Sequence, residues 1–323
     1  MGNTVESNLA LLGGEAVKEK VVVILGPTAT GKSHCAIEVA KRFNGEIISG
    51  DSMLVYKSMN IGTAKPTAEE LIAVPHHLVD ILPPEASFNV VDFVENAKRL
   101  ITEINSRGKL PIIAGGTGLY IKALLEDYSF NSVNEDTELR HKLEQEAAEL
   151  GAEALHQRLA ELDSEAAERI HPNNVRRVVR ALESALSGDT INQQVAEERP
   201  YDALVFGLNM ERSALYERIN RRVDLMLDAG LEQEVRQLLE QGVLPECQSM
   251  QSIGYRQMVW YINGSMSYED AVDKLKQATR NFAKRQITWY KKMPYIHWID
   301  LAPQPDYDTA VGIICEKLVQ KYK

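Results

Sequence analysis

A phosphate-binding loop is the sequence feature that most constrains this chain. Residues Gly26–Ser33 read GPTATGKS and match the pattern G-x-x-x-x-G-K-[ST] at every fixed position. The apolar run Val21–Leu25 before the loop predicts a buried strand, and the helical spacing of apolar residues after Ser33 predicts a helix. Strand, loop and helix come in the order of a P-loop, and the alternative is a glycine-rich turn that binds nothing.

In such a loop, backbone N–H groups turn inward onto an anion, and the following helix adds the positive end of its dipole. Lys32 adds a point charge, and the hydroxyl of Ser33 is the expected ligand of Mg²⁺. The predicted phosphate-binding residues are Gly26, Pro27, Thr28, Ala29, Thr30, Gly31, Lys32 and Ser33. The loop alone does not reveal which phosphate compound is bound.

Composition indicates a globular chain with a sizeable core. The 323 residues are 44% hydrophobic, and no apolar run approaches the length of a membrane-spanning helix. The segment Met1–Lys20 lacks the basic start and apolar core of a secretory signal, so we expect a cytoplasmic protein without membrane attachment. Three scattered cysteines exclude a disulfide framework and a cysteine-rich zinc site.

The charge is unevenly distributed along the chain. The net charge of −10 disfavours a polyanionic partner when it is taken alone. However, Asn134–Arg169 carries eleven acids against four bases, whereas Lys274–Lys292 carries seven bases and no acid. Because phosphate contacts are made within about a Debye length, roughly 8–10 Å, a local basic face keeps nucleic acid among the candidate partners.

The order of strands and helices predicts a parallel sheet. Short strands are expected at Glu46–Ser49 and Leu110–Ala114, with a helix at Val90–Arg107 between them. The stretch Asn134–Pro200 is rich in Ala, Glu, Leu and Arg and predicts only helices. The β pattern resumes at Ala203–Leu208. Further helices are predicted at Arg212–Ala229, Leu231–Gln241, Tyr268–Lys292 and near Thr309–Lys323, with a strand at Tyr295–Ile299.

The expected fold class is α/β: a P-loop NTPase-like parallel sheet flanked by helices, with an inserted all-helical subdomain. The predicted domains are an N-terminal extension (1–20), a catalytic core (21–133 and 201–323) and the helical insertion (134–200). Asp51 follows the second strand, at the edge where open α/β sheets bind ligands. Its carboxylate can act there as a general base, as a Mg²⁺ ligand or as a helix cap.

Several sequence blocks together resemble one family. They are Gly26–Ser33, Ser49–Tyr56 with Gly62–Pro66, Pro75–Leu78, Gly115–Tyr120, Gly254–Arg256 and Lys284–Trp289. In this order and spacing the chain resembles tRNA dimethylallyltransferase, and the lack of a C-terminal zinc finger makes the bacterial type the expectation. The resemblance implies transfer of a dimethylallyl group from dimethylallyl diphosphate to the exocyclic amino group (N6) of the adenine 3′-adjacent to the tRNA anticodon.

The resemblance also implies catalytic roles. Asp51 becomes the general base, and Lys32 and Thr30 join backbone amides in taking up charge on the diphosphate leaving group. Thr117 donates its hydroxyl to a diphosphate oxygen, and N-capping of the helix that begins near Leu119 is its alternative role.

An arginine of the family closes on the diphosphate, and a planar guanidinium suits that task because it binds two phosphate oxygens at once. Arg222 matches this arginine, and it is preferred over Arg221 only by alignment to the motif. Arg218 and Arg221 weaken the assignment, because charged residues on a helix usually face solvent.

Three segments are expected to contact the tRNA anticodon stem-loop: a helix of the insertion, a glycine-containing turn, and a basic segment interleaved with aromatic residues. The insertion motif commonly reads Gln-Arg where this chain has Arg176-Arg177. For Lys284–Lys291, the alternative is an amphipathic helix with Ile287 and Trp289 in the core. The predicted substrate-binding residues are the P-loop residues Thr28–Ser33, then Asp51, Ser52, Met53, Leu54, Arg140, Arg176, Arg177, Val178, Val179, Arg180, Gln251, Ser252, Ile253, Gly254, Tyr255, Arg256, Lys284, Arg285, Gln286, Ile287, Thr288, Trp289, Tyr290 and Lys291.

Other functions remain open alongside this one. An adenylate isopentenyltransferase would share the chemistry and use free adenine nucleotides, and a P-loop small-molecule kinase would need an acidic Walker-B strand end, where this chain has Gly115-Gly116-Thr117. A non-catalytic RNA-binding module is a further alternative. His76 and His77 are adjacent and lack nearby His or Cys partners, so they predict loop structure or nucleotide contacts. We expect a monomer.

Overall fold

The computed structural model describes residues 18–128, 137–186 and 199–322. Its strands are β1 (Lys20–Leu25), β2 (Gly45–Ser49), β3 (His76–His77), β4 (Leu110–Gly115), β5 (Asp202–Met210) and β6 (Ile296–Leu301). They form one sheet in the order β3-β2-β4-β1-β5-β6, and every neighbouring pair is parallel. The predicted α/β class with a parallel sheet is confirmed.

Helices connect and cover these strands. Before β5 they are α1 (Lys32–Phe43), α2 (Ala68–Ala73), α3 (Val90–Ser106), α4 (Gly118–Leu125), α5 (Thr137–Leu150), α6 (Ala152–Leu162), α7 (Ser164–Arg169) and α8 (Val175–Leu186). After β5 they are α9 (Arg212–Asp228), α10 (Leu231–Glu240), α11 (Tyr255–Ile262), α12 (Tyr268–Tyr290) and α13 (Tyr307–Tyr322). Side-chain caps define several helix starts: Asn89 caps α3, and Ser267 caps α12 by accepting the N–H of Asp270.

Strand β1 lies at the centre of the sheet, between β4 and β5. Residues Val21–Leu25 are all fully buried, as expected for a parallel strand whose two faces are both covered. Leu25 is in register with Gly115 of β4 and with Gly207 of β5. The loop after β1, which is the P-loop, therefore emerges beside the glycine-rich loop after β4.

Three elements differ from the sequence interpretation. The segment 251–256 was predicted as a turn, but the turn ends at Gly254 (φ 102°) and α11 begins at Tyr255. The two-residue strand β3 and the one-and-a-half-turn helix α2 were not predicted, because elements this short carry no periodic signal.

The chain divides into two compact units. Unit 1 comprises Met1–Glu126 and Glu198–Lys323, and unit 2 is Asp127–Glu197. Unit 1 contains the sheet. No helix within residues 18–128, 137–186 and 199–322 is both long enough and apolar enough to cross a membrane.

Helices α5 to α8 of unit 2 pack around their own apolar core, which includes Leu143, Leu155, Leu159 and Leu182. Val178 and Val179 belong to this core and are 0% and 2% exposed. Their predicted contact with substrate is therefore wrong, because the helical period turns them inward while the neighbouring arginines stay in solvent.

Candidate active site

A cavity of about 660 Å³ opens at the carboxyl edge of the sheet, where the loops after β1, β2 and β4 meet. Open α/β sheets bind ligands at this edge. Polar groups of the lining come from the P-loop, residues 51–54, Thr117 and Arg222. Apolar groups of the lining come from α9 and α12: Ile219, Val223, Met226, Leu275 and Phe282. The cavity therefore offers a ligand both anion-binding groups and apolar surface.

The P-loop has left-handed backbone turns. Gly31 has a φ of 84° and Ala29 a φ of 67°, a region that L-residues rarely adopt. The carbonyl oxygen of Pro27 accepts hydrogen bonds from the Thr30 hydroxyl and from Lys32 Nζ, each at 2.8 Å. Thr30 is fully buried, so its predicted direct role in taking up ligand charge is wrong. Its hydroxyl instead stabilises the loop from within.

Lys32, Asp51 and Arg222 form a cluster of three charges in the cavity lining. Burial and the nearby Arg222 lower the pKa of Lys32 from 10.5 to about 8, while the charge of Asp51 acts in the opposite direction. Burial also lowers the pKa of Arg222, again against the effect of Asp51. Two cations beside one carboxylate leave excess positive charge in this part of the cavity, which favours an anionic ligand.

Asp51 and Thr117 lie in the loops after β2 and β4, which are joined by hydrogen bonds. Asp51 Oδ1 accepts the N–H of Met53 at 2.9 Å, which orients the carboxylate. The N–H of Ser52 donates to the Thr117 hydroxyl oxygen at 3.2 Å. Thr117 precedes α4, yet within the part of the chain that the structure describes its hydroxyl makes no capping bond to that helix. The capping alternative for Thr117 is therefore wrong. No group in residues 18–128, 137–186 and 199–322 accepts its hydroxyl hydrogen, which can therefore be donated to a ligand.

The three arginines at the middle of α9 have different surroundings. Arg222 lines the cavity, and Arg221 is exposed to solvent. Arg218 donates to the carbonyl oxygen of Ala29 at 3.0 Å and to the hydroxyl of Tyr307 at 2.7 Å. Arg218 was expected to face solvent, but it instead holds Ala29, the P-loop residue with a positive φ, in place.

One face of α12 holds the P-loop against the glycine-rich loop after β4. Gln286 Oε1 accepts the N–H of Thr28 at 3.0 Å, and its amide donates to the carbonyl of Gly116 at 2.9 Å. The Tyr290 hydroxyl donates its one hydrogen to the carbonyl of Gly116 at 2.8 Å, and the carbonyl of Gly26 lies 3.2 Å away and can share it. Tyr290 is fully buried, so its predicted contact with RNA is wrong. Gln286 also lines the cavity.

The remaining residues of the same segment divide by exposure. Trp289 packs on Gly118, where a Cβ atom would come within 2.0 Å of the indole ring. Ile287 packs against the core of unit 1, as the amphipathic-helix alternative predicts, and this burial argues against its predicted contact with substrate. Four polar residues are exposed: Lys284, Arg285, Thr288 and Lys291. The segment therefore supports the loops of the site and also carries an exposed basic surface.

The segment 251–256 contributes to the cavity lining through Gln251, Ser252, Ile253, Gly254 and Arg256. Tyr255 is fully buried and donates its hydroxyl to Glu234 at 2.5 Å, so the prediction that it stacks on a base is wrong. Arg256 Nε is buried and has no hydrogen-bond partner among the described residues. The guanidinium carbon of Arg256 lies 5.3 Å from the centre of the Trp260 ring, and the residue as a whole lines the cavity.

Several predicted arginines lie in unit 2. Arg140 makes a bidentate contact with the buried carboxylate of Glu183, with Nη2 at 2.9 and 3.1 Å from its two oxygens. Arg180 also donates to Glu183, at 3.3 Å. Arg176 and Arg177 are exposed on α8. Arg140 and Arg180 therefore stabilise the packing of unit 2 through their contacts with Glu183.

The two adjacent histidines lie at the sheet edge. His77 Nε2 is 2.7 Å from Glu46 Oε2, and His76 Nδ1 donates to a backbone carbonyl at 2.8 Å. Glu46 is buried and also pairs with Arg107 and Lys109, at 2.7 and 2.8 Å. Burial opposes ionisation of Glu46, but the bonds from Lys109 and His77 and the charge of Arg107 outweigh it and lower its pKa to about 2. These residues stabilise the fold.

Comparison with known proteins decides the family. A model of the family IPP transferase matches residues 54–293. The tRNA dimethylallyltransferase of Halalkalibacterium halodurans is 47% identical over 316 residues, which cover 95% of this chain and all of that protein. The chain belongs to the IPP transferase family. The predicted resemblance is confirmed, and as an IPP transferase the chain is a prenyltransferase enzyme.

Other IPP transferases agree in sequence and in structure. The tRNA dimethylallyltransferase of Bacillus subtilis is 48% identical over 295 residues, 90% of this chain and 94% of that protein. The crystal structure of a full-length tRNA isopentenylpyrophosphate transferase from Bacillus halodurans superposes with a TM-score of 0.72 at 46% identity, covering 94% of this chain and 97% of that chain. A eukaryotic dimethylallyltransferase acting on tRNA gives a TM-score of 0.79 at 28% identity, covering 94% of this chain and 80% of that one.

IPP transferases take the prenyl group from a diphosphate, a reaction that generally uses a divalent metal ion. The oxygen donors of the cavity lining include the hydroxyl of Ser33, which is exposed, and the carboxylate of Asp51, both of which suit such an ion. Among the described residues no group of three or more His, Cys, Asp or Glu side chains could hold a metal. This donor set fits an ion that is held mainly by substrate phosphate oxygens and water, as Mg²⁺ usually is.

Proposed function

We propose that the chain transfers a dimethylallyl group from dimethylallyl diphosphate to N6 of the adenine 3′-adjacent to the tRNA anticodon. The main observation behind this proposal is that one and the same cavity is lined by the charge cluster of Lys32, Asp51 and Arg222 and by an apolar wall. The prenyl donor has the matching character, since a diphosphate is joined to an apolar five-carbon group.

The charged groups of the cavity suit a diphosphate leaving group. Backbone N–H groups of the P-loop, Lys32 and Arg222 bind its oxygens, and Thr117 donates its hydroxyl hydrogen. As the bond between the allylic carbon and the diphosphate oxygen breaks, the electron pair stays on that oxygen. Donors already held in place stabilise this new charge more in the transition state than in the ground state, which is how they accelerate the reaction.

Asp51 is the proposed general base. The adenine amine attacks the allylic carbon with its lone pair, forms the new carbon–nitrogen bond and must then lose one proton. The half-buried carboxylate, oriented by the N–H of Met53, accepts this proton. The products are the N6-dimethylallyladenosine of tRNA and diphosphate, and all atoms and charges balance.

The apolar wall binds the prenyl group and limits access of water. The wall is formed by Ile219, Val223 and Met226 from α9 and by Leu275 and Phe282 from α12. An allylic carbon that becomes electron-poor during the reaction would otherwise be attacked by water. Mg²⁺, held by Ser33 with the diphosphate oxygens, would neutralise part of the leaving-group charge.

Exposed basic groups supply the proposed RNA contacts. Lys284, Arg285 and Lys291 on α12, with Arg176 and Arg177 on α8 of unit 2, are positioned in solvent and can meet phosphates. The helical insertion is thus proposed as a tRNA-contacting domain. We also propose that the enzyme is monomeric and acts in the cytoplasm, where its substrate tRNA is found.

The proposed function is tested by incubating the chain with labelled dimethylallyl diphosphate and Mg²⁺ together with one acceptor at a time. Bulk tRNA, AMP and ATP are the acceptors. Label in tRNA alone supports the proposal, whereas label in AMP or ATP alone would identify an adenylate isopentenyltransferase. Release of labelled alcohol without transfer to any acceptor would refute the proposed reaction.

A matched variant separates catalysis from binding. Thr117→Val keeps the shape of the side chain and removes the hydroxyl, so turnover should fall while the Michaelis constant for the prenyl donor changes little. A rise in that constant with turnover intact would mean that Thr117 only binds the ground state.

A further inference from the structure

Glu234 of α10 carries a buried carboxylate that accepts hydrogen bonds from four donors. The side chain belongs to a residue that is only 8% exposed. Its oxygens accept the backbone N–H groups of Asn60 at 2.8 Å, Ile61 at 2.9 Å and Gly62 at 3.2 Å. The fourth donor is the hydroxyl of Tyr255 at 2.5 Å. Three consecutive backbone donors therefore converge on one carboxylate, the arrangement that a loop offers to a bound anion.

The two segments held by Glu234 both contribute to the cavity lining. Gly62, Thr63 and Ala64 come from the loop that Glu234 binds, and residues 251–254 and 256 surround the tyrosine that it binds. The two segments are in direct contact, because a Cβ atom on Gly62 would lie 2.4 Å from the ring of Tyr255. The Glu234 and Tyr255 side chains lie behind the lining that their neighbours form.

The loops around the P-loop are held by other residues. Gln286 and Tyr290 connect the P-loop to the loop after β4, and Arg218 binds it from α9. The segments at Glu234 instead contribute Gln251 and Arg256 to the lining. These are groups that recognise bases and phosphates. The part of the cavity at the P-loop and the part near Glu234 are thus held in place by different residues.

We propose that Glu234 is a positioning residue that aligns the part of the cavity that receives the RNA acceptor. The inference rests on the proposed function, because it assigns the P-loop part to the diphosphate donor. Without the carboxylate, three backbone N–H groups and the Tyr255 hydroxyl lose a shared acceptor. The bonds between Tyr255 and the backbone of Gly62 and Thr63 remain, but Glu234 then no longer fixes them from α10, so the contact between the two segments is less well ordered.

The test is Glu234→Gln, which keeps the size of the side chain and places an amide N–H against the donors. The Michaelis constant for tRNA should rise about tenfold, the lower end of the effect of losing one hydrogen bond to a charged group. The Michaelis constant for dimethylallyl diphosphate should differ from that of the wild type by less than about twofold, because different residues hold the P-loop. Glu232→Gln is the matched control, since Glu232 of the same helix pairs only with Arg236 at the surface, as far as the described residues show.

Circular dichroism and thermal unfolding establish that the variants are folded. If Glu234→Gln does not fold, Tyr255→Phe replaces it as the test variant, because it removes one hydroxyl and leaves the backbone bonds to Glu234 in place. Tyr255→Phe should raise the Michaelis constant for tRNA about threefold. Equal losses for donor and acceptor, or no change for either, would overturn the inference. A wild-type chain that labels no tRNA refutes the proposed function itself, so the two failures are distinguishable.

Discussion

The lowered pKa of Lys32 predicts that the enzyme loses affinity for diphosphate above about pH 8. Burial and Arg222 bring the pKa from 10.5 to about 8, so the ammonium form predominates below that pH and the neutral amine above it. Only the ammonium form of Lys32 is charged and attracts a phosphate oxygen electrostatically. Between pH 7 and pH 9 the ammonium fraction falls from about nine-tenths to about one-tenth, so the apparent dissociation constant should rise about tenfold.

Isothermal titration calorimetry with inorganic diphosphate across this pH range measures the effect. Diphosphate also changes its own protonation in the same range, so the comparison must remove that contribution. Lys32→Gln supplies the correction, because its side chain does not titrate and all other groups are retained. The ratio of wild-type to variant affinity should then change with a midpoint near pH 8.

A second variant tests the cause of the shift. Arg222→Gln removes the like charge, so the pKa of Lys32 and the midpoint should both move to higher pH. Affinity itself should fall because a phosphate contact is lost, but the midpoint is an independent measurement. A ratio that stays flat from pH 7 to pH 9, or a midpoint that falls in Arg222→Gln, would refute this electrostatic account.

Further predictions concern the base, the RNA surface and the fold. Asp51→Ala should lower the single-turnover rate about 10²–10⁴-fold with tRNA affinity nearly unchanged in filter binding, and a normal rate would exclude Asp51 as the base. Neutralising Lys284, Arg285 and Lys291 together should weaken tRNA binding and reduce its salt dependence by about 0.7–0.9 in log–log slope per lost phosphate contact, whereas superimposable titrations would place the RNA surface elsewhere. Glu46, with its pKa lowered to about 2, contributes stability that is fully present above about pH 4.5 and is lost as the pH falls toward 2. Glu46→Gln should therefore lower the free energy of unfolding by about 1–3 kcal/mol at neutral pH, and in urea titrations this difference from wild type should shrink toward about pH 3.

Long apolar runs and helical spacing were sufficient to predict most of the architecture. The strands expected at Glu46–Ser49 and Leu110–Ala114 differ from β2 and β4 by one residue at one end. The start of α11 at Tyr255 was not predicted from the sequence. A glycine before a short apolar segment usually indicates a loop, and here Gly254, which has a positive φ, directly precedes the helix. The two residues of β3 are defined as a strand by their pairing with β2, which no local pattern in the sequence indicates.

The site was predictable where a motif specifies backbone conformation, and less so where packing decides. The P-loop and the strand-end position of Asp51 follow from pattern and order. By contrast, Tyr290 and Tyr255 carry the ring and hydroxyl that suit RNA, yet both are buried and bound to protein groups. A single glutamate such as Glu234 gives no sequence signal, since most glutamates on helices are solvated.

The bonds from α12 to the P-loop also have a consequence for biosynthesis. Gln286 is separated from Thr28 by 258 residues, and Tyr290 from Gly26 by 264. A ribosome completes the P-loop early and α12 late, so the nascent chain passes through a long period in which the loop has no support from this helix. Contacts of such large sequence separation form slowly, because the loop-closure entropy is paid before they stabilise the chain. Incomplete chains should therefore not capture prenyl diphosphate, and ligand binding becomes a readout of complete folding.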